Sequence, residues 1–390
     1  MKIFNSLLLF LVLTLFNFNC QSQNNVYDTT TNKLLNNRFV KLLENPIDSV
    51  GFPRSMSVKT GEIKNVPSKD WTSGFYVGNL WQLFTLTGDS KYKERAQKWI
   101  PFLEKEKFNK GTHDMGYKIY CSYGKGYEIN HSEEYKKIII KSAQTLTTRF
   151  NKKIGSIKSW DHNKDKWDFP VIIDNMMNLE LLFEASKLTG DAIYRKIAIQ
   201  HANTTLKNHF RKDNSCYHVV GYDTITGMVK SKNTHQGYND ESSWARGQSW
   251  AVYGFTMSYR YTKDKAYLKQ AEATAQFFIN HKNMPEDGIP YWDFNAPTIP
   301  NTTRDASAAA IMASALIELY TITQKEVYLK YSNKVINSLC SNKYLLDESV
   351  DGPFILDHST GDWSKKAELD EPIIYADYYF LEAIIRKALL

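Results

Sequence analysis

Four stretches of this 390-residue chain repeat one shape. They read NLWQLFTLTGDSKYKERAQKW from Asn79, NLELLFEASKLTGDAIYRKIA from Asn178, WAVYGFTMSYRYTKDKAYLKQA from Trp250 and AAIMASALIELYTITQKEVYLKYS from Ala309. Each is an apolar helix, a short polar turn and a second helix opened by a tyrosine. The turns are LTGD, LTGD, YTKD and ITQK, and Tyr92, Tyr194, Tyr267 and Tyr328 each follow three residues after the turn. In the first two copies the glycine suits a left-handed helix C-cap and the aspartate suits the next N-cap.

The two helices of each unit differ in kind. The first is apolar nearly all round, which requires burial on every side. The second carries Lys, Glu and Gln at helical spacing and has one wet face. Alternating inner and outer helices close into a toroid of helical hairpins. Glu133 to Phe150 and Tyr375 to Leu390 offer further helical pairs. The expected fold is all-α, an (α/α)6 toroid with small β-hairpin insertions, formed by a single domain over residues 35–390. The hydrophobic content of 42% is ample for one large core.

Ahead of the domain, MKIFNSLLLFLVLTLFNFNCQSQ places one lysine before an apolar run from Leu7 to Phe16. The run is too short to span a bilayer and has the length of a signal-peptide core. Residues 1–22 are therefore expected to direct export to the periplasm. Two processing routes compete: lipidation at Cys20, or cleavage after Ser22 with a soluble product. Residues 23–34 read as a polar tether. The membrane is approached only through the lipid route. Cys121, Cys216 and Cys340 are too few and scattered for a disulfide framework. The formal charge of +7, from 49 basic and 42 acidic residues, is spread along the chain, and no basic block suggests nucleic-acid binding. The acidic run DHNKDKWDFP from Asp161 begins like a calcium loop, but Lys166 holds the glycine position and Ile172 the final glutamate position. No metal and no cofactor are expected.

Inner helices of a hairpin toroid run the same way, so their N-termini meet at one mouth. Asp174 opens the second recognised inner helix in VIIDNMMNLELLF; Trp71, Arg246 and Asp305 stand at the equivalent points of the other three. A carboxylate there has two readings. As an N-cap it accepts the amides of Met176 or Met177, and the helix end lowers its pKa. Desolvated by Ile172, Ile173, Met176 and Met177, its pKa rises. A general acid needs the second effect to dominate.

Two further stretches carry chemistry. GTHDMGYKIYCSYG holds His113 and Asp114 in what reads as a turn. THQGYNDESSWARGQSWAVYG, residues 234–254, brings Gln236, Arg246 and two tryptophans to a glycine-punctuated helix entry. A guanidinium fork and a glutamine can grip a carboxylate. Trp71, Trp160, Trp244 and Trp250 can form stacking walls for sugar rings. His218 lies in SCYHVVGYDTITG, which reads as a hairpin insertion.

In order along the chain, HDMG at 113–116, IIDNMMNL at 172–179, HQGYNDESSWARGQSW at 235–250 and RDASAAAI at 304–311 resemble glycoside hydrolase family 88, the unsaturated glucuronyl hydrolases. The resemblance spans roughly residues 35 to 385. It implies an (α/α)6 barrel without a metal, acting on unsaturated uronic-acid oligosaccharides left by polysaccharide lyases. By the same resemblance, the terminal sugar is removed by hydrating its C4=C5 enol ether. Asp174 would be the general acid and base. Asp114 would orient the sugar and hold up the pKa of Asp174. His218 would stand near the sugar and the attacking water. His113, Gln236, Arg246 and Trp250 would bind hydroxyls, carboxylate and ring face, with Trp71 and Trp160 as stacking residues. Glycosaminoglycans and ulvan are both suitable parent polymers. The competing readings are an unsaturated rhamnogalacturonyl hydrolase, an ordinary inverting glycosidase and a non-catalytic glycan-binding lipoprotein.

Overall fold

The structure is a computed structural model and describes residues 29–48 and 51–390. The expected signal segment and Cys20 lie outside the described residues. The tether does not extend to residue 34, because helix α1 (Thr29–Glu44) already begins at Thr29.

Helices then alternate inside and outside. The inner α2 (Ser73–Thr87) precedes the outer α3 (Ser90–Trp99). The inner π-helix Gly116–Gly124 runs directly into α4 (Lys125–Asn130), with α5 (Glu133–Thr147) outside it. The inner α6 (Leu179–Thr189), entered through a 3-10 turn at Ile173–Asn178, pairs with the outer α7 (Ala192–Asn208). Two more pairs follow: α8 (Ala245–Thr262) with α9 (Lys265–Asn280), and α10 (Ala306–Thr323) with α11 (Glu326–Leu339). The inner α12 (Ile374–Ala388) packs against both α10 and α2 and closes the ring. The six inner helices closed in this way form the (α/α)6 toroid expected from the repeat.

Cap chemistry explains why the hairpins turn where they do. Asp89, Asp191 and Asp264 each accept the backbone N–H two residues on, and the following tyrosines, Tyr92, Tyr194 and Tyr267, are buried. The residue before each N-cap is left-handed: Gly88 (φ 71°), Gly190 (φ 74°), Lys263 (φ 61°) and, in the fourth copy, Gln324 (φ 57°). A fifth copy is hidden in the sequence. His131 is left-handed (φ 50°), Ser132 caps α5 through the amide of Tyr135, and Tyr135 is buried three residues later. It lacks the LTGD-like lettering, so only its geometry betrays it.

Two expectations are corrected. Glu133 to Phe150 and Tyr375 to Leu390 are not pairs: the first is the outer α5, and the second is the inner α12. The stretch around His113 is not merely a turn, because it leads into the second inner helix, which makes the Asp174 helix the third. Short strands fill the connections at the mouth. Phe169–Ile172, Val219–Tyr222 and Val229–Asn233 form a three-stranded antiparallel sheet, and Ser359–Asp362 pairs with Ala367–Glu371.

Candidate active site

Asp114 and Asp174 are 60 residues apart in sequence, and one glycine lets their segments touch. A Cβ on Gly116 would lie 2.7 Å from the Cα of Asn178. With no Cβ there, the amides of Gly116 (2.8 Å) and Tyr117 (3.3 Å) both donate to Asn178 Oδ1. The HDMG turn is thereby bolted to the IIDNMMN turn, and each aspartate stands at the N-terminal end of its inner helix.

The Asp174 carboxyl is buried, 8% exposed, and does not cap its helix. Ile172 is the N-cap residue, without a side-chain bond, and Asp174 Oδ2 has no hydrogen-bond partner within the protein. Burial therefore pushes its pKa up to about 7. The positive charge of Arg246 and the residue's own backbone amide pull against that rise, and the charge of Asp114 adds to it. Of the two expected causes, desolvation is the larger and the charge of Asp114 the smaller. The Trp250 indole N–H is turned toward this carboxyl without forming a hydrogen bond of good geometry.

His218 faces Asp174, with Nε2 3.6 Å from Oδ2. Burial pushes its pKa well down, so the ring is neutral. Its Nδ1 accepts two backbone N–H groups, from His235 and Gln236, both at 3.2 Å. A nitrogen that accepts carries no proton, so the proton is on Nε2, aimed at the carboxyl. Trp244 stacks on the ring at 4.4 Å and fixes its plane.

The other expected site residues divide into those open to the mouth and those behind it. Asp114 accepts from the Thr112 hydroxyl (2.7 Å), and His113 Nε2 lies 3.1 Å from its other oxygen. His113 is buried and kept neutral by burial, so it orients Asp114 from behind. Arg246 does not present its fork to a ligand. Nη1 donates to Asp305 Oδ2 (2.7 Å) and Thr360 O (2.6 Å), and Nη2 donates to Gly361 O (2.7 Å). The guanidinium ties the start of α8 to the N-cap of α10 and to the Ser359–Glu371 hairpin. Gln236 Nε2 donates to the same Gly361 carbonyl at 3.0 Å. Trp250 is fully buried and packs on Tyr117 and Tyr379, so it is a floor rather than a stacking face. Trp71 is part-exposed among Phe75, Tyr117 and Tyr375. Trp160 lies at the rim, stacked on His162 at 5.1 Å and beside His235.

Sequence reasoning missed Asn178 and Tyr375, which join these elements, and gave no role to His235 of the 234–254 stretch, whose ring approaches both Trp160 and His218. Asn178 was readable, since it follows Asp174 at helical spacing and stands in the shared motif. The carbonyls of Thr360 and Gly361 were not, since any residue supplies a carbonyl. Among the described residues no cluster of three His, Cys, Asp or Glu suits a metal ion.

A helical toroid with a protonated carboxyl under an aromatic mouth has the architecture of a glycan-processing hydrolase. The profile of Glycosyl Hydrolase Family 88 matches residues 52–281. An unsaturated glucuronyl hydrolase from Formosa agariphila is 58% identical over 388 residues, covering 98% of this chain and 97% of that one. An unsaturated chondroitin disaccharide hydrolase from Streptococcus agalactiae is 34% identical over 83% of this chain and 82% of its own length. The crystal structure of an unsaturated glucuronyl hydrolase specific for heparin superposes with a TM-score of 0.89 at 43% identity, covering 92% of this chain and 96% of that one. The chain belongs to glycoside hydrolase family 88, the unsaturated glucuronyl hydrolases.

Proposed function

We propose that the enzyme removes a Δ4,5-unsaturated glucuronyl residue from the non-reducing end of lyase-generated oligosaccharides, with Asp174 as general acid and then base. The observation that carries this reading is the buried Asp174 carboxyl, which keeps its proton up to about pH 7. Asp174 gives that proton to C4 of the enol ether. Positive charge develops at C5 and is shared with the ring oxygen. Water adds at C5 and returns a proton to the Asp174 carboxylate. The resulting hemiketal opens to a C5 ketone, and the hemiacetal left at C1 releases the rest of the chain as an alcohol. The double bond is consumed by hydration, so the carboxylate-spacing rule for ordinary glycosidases does not apply.

Asp114 is held by Thr112 and His113 as an acceptor for sugar hydroxyls. The Nε2–H of His218 is placed to steady the carboxylate of Asp174 after proton loss. Trp71 and Trp160 offer apolar faces at the rim. Arg246 acts by its charge and by fixing the mouth. The relatives named for unsaturated substrates favour hydration over ordinary inversion at a saturated bond. The substrate is a product of a polysaccharide lyase acting on a glycosaminoglycan or on ulvan, and the sequence ahead of the domain supports a periplasmic or lipid-anchored location.

A panel of lyase-made disaccharides tests the reading. The double bond erases the C4 difference between glucuronate and galacturonate, so the panel compares products of glucuronate and galacturonate polymers that differ in anomeric linkage and neighbouring sugar, sulfated and unsulfated, followed by loss of the conjugated alkene's absorbance. Glucuronyl substrates should lose absorbance and release a keto-acid. Turnover of saturated oligosaccharides, or only of the anomeric linkage that galacturonate polymers leave, would overturn it.

A further inference from the structure

We infer that Asp293 is a positioning residue for this reaction: it clamps the loop from Thr234 to Ser243 so that two of its amides lock His218 in the tautomer that faces Asp174. The inference rests on the reading of Asp174 as the acid.

Asp293 is fully buried, and nothing in the shared motifs marks it. Its Oδ2 accepts from the Tyr238 amide (2.9 Å) and the Ser242 hydroxyl (2.7 Å), and its Oδ1 accepts from the Asn295 amide (2.8 Å). Gly237 sits where a Cβ would meet Thr234 Oγ1 at 2.6 Å and Asp293 Oδ2 at 3.0 Å, so the loop is drawn tightly over this carboxylate. Arg211 secures the far side of the loop through the carbonyls of Asp240 (2.9 Å) and Ser242 (3.0 Å). The two residues just before Gly237 are His235 and Gln236, whose amides both point at His218 Nδ1.

The physical consequence is specific. Protonating Nδ1 would set an N–H against two other N–H groups, so the imidazolium and the opposite tautomer are both disfavoured. The charged and titratable groups around His218 are Asp174, His235, Arg246, His209 and His113. Arg246 opposes a positive ring by its charge, while His235, His209 and His113 are themselves shifted toward the neutral form by burial. A single proton is thus left on Nε2, toward the carboxyl. Asp293 never touches the reacting sugar in this scheme; it acts through the loop.

The test uses Asp293→Asn, which keeps the size but replaces one acceptor oxygen with an NH2 group, and Ser242→Ala, a milder release of the same clamp. Histidine-selective 15N NMR on the whole enzyme reads which ring nitrogen of His218 carries the proton. Wild type should show a bare Nδ1 and a protonated Nε2; the variants should show mixed tautomers. In turnover, kcat should fall on the order of 10- to 100-fold. The acid limb should move toward higher pH, because the two amides no longer oppose a proton on Nδ1, while burial and Arg246 still hold the ring below its ordinary value. Unchanged 15N signals in a folded variant would overturn the proposal. So would a loss of kcat that is uniform across pH. If Asp293→Asn does not fold, Ser242→Ala carries both readouts. The NMR arm needs no turnover, so it still reads the tautomer if the proposed reaction is wrong.

Discussion

Asp174 stands behind two isoleucines in the sequence, and that alone marks it as a carboxyl short of water. Its direction of shift was not legible, because a helix start and a buried pocket pull opposite ways. The 3-10 entry settles it: the cap position falls on Ile172, and the carboxyl is left in the core. A stability consequence follows. The folded carboxyl titrates at about 7, while an unfolded aspartate titrates at about 3.9. Between these values the unfolded chain is ionised and the folded one is not, so ionisation favours unfolding as pH rises. Asp174→Asn removes that cost. Its stability should exceed wild type at pH 8 by up to about 4 kcal/mol, seen as a higher melting temperature, and the gain should be smaller at pH 5. Equal gains at both pH values in thermal melts would contradict the burial account. Arg246 teaches the opposite lesson. Its motif was plain, but its partners come from residues 305, 360 and 361, which no local pattern links to it. Arg246→Ala should leave Asp305 buried and unpaired, costing about 3–5 kcal/mol in denaturant unfolding, a loss too large for a surface ligand-binding arginine.

At the scale of the helix, the repeat was legible because its turns use side chains that letters reveal. Glycine and aspartate name the C-cap and N-cap of the first two copies. In the later copies Lys263 and Gln324 hold the same left-handed backbone at a steric cost. Lys263→Gly and Gln324→Gly should each stabilise the fold by a few tenths to about 1 kcal/mol in chemical denaturation, while Gly88→Ala should destabilise it by a similar amount. The inner helix after Asp114 was not legible. A π-helix has no periodic signature of its own, and Gly116, Gly124 and Gly126 break the apolar pattern. Gly74 belongs to the same contact. A Cβ there would lie 2.3 Å from the Tyr117 carbonyl and 2.4 Å from that of Lys118. Gly74→Ala should therefore push α2 off the π-helix, lowering stability by about 1–3 kcal/mol, read as an earlier denaturant midpoint.

Across the whole molecule, one rule connects fold to function: parallel inner helices gather their N-terminal segments at one end. That rule was readable from four repeats, and it brought Trp71, Asp174, Arg246 and Asp305 to one mouth before any coordinates. The hairpin at Ser359–Glu371 was not readable, because its job is to supply carbonyls to side chains more than a hundred residues away. The ring also has a seam. Since α12 joins α10 to α2, a chain ended before Ile374 leaves two apolar inner faces open. It should fail to give soluble, cooperatively melting protein.

The central claim is that one buried carboxyl delivers its proton to a sugar double bond near neutrality. The pH dependence of kcat/KM on an unsaturated glucuronyl disaccharide, followed by alkene absorbance for wild type and Asp174→Asn, tests it most directly. Wild-type activity should fall as pH rises through about 7, where Asp174 loses its proton, and the variant should be inactive at every pH. A wild-type rate that holds or climbs above pH 8, or a variant that still consumes the alkene, would contradict it.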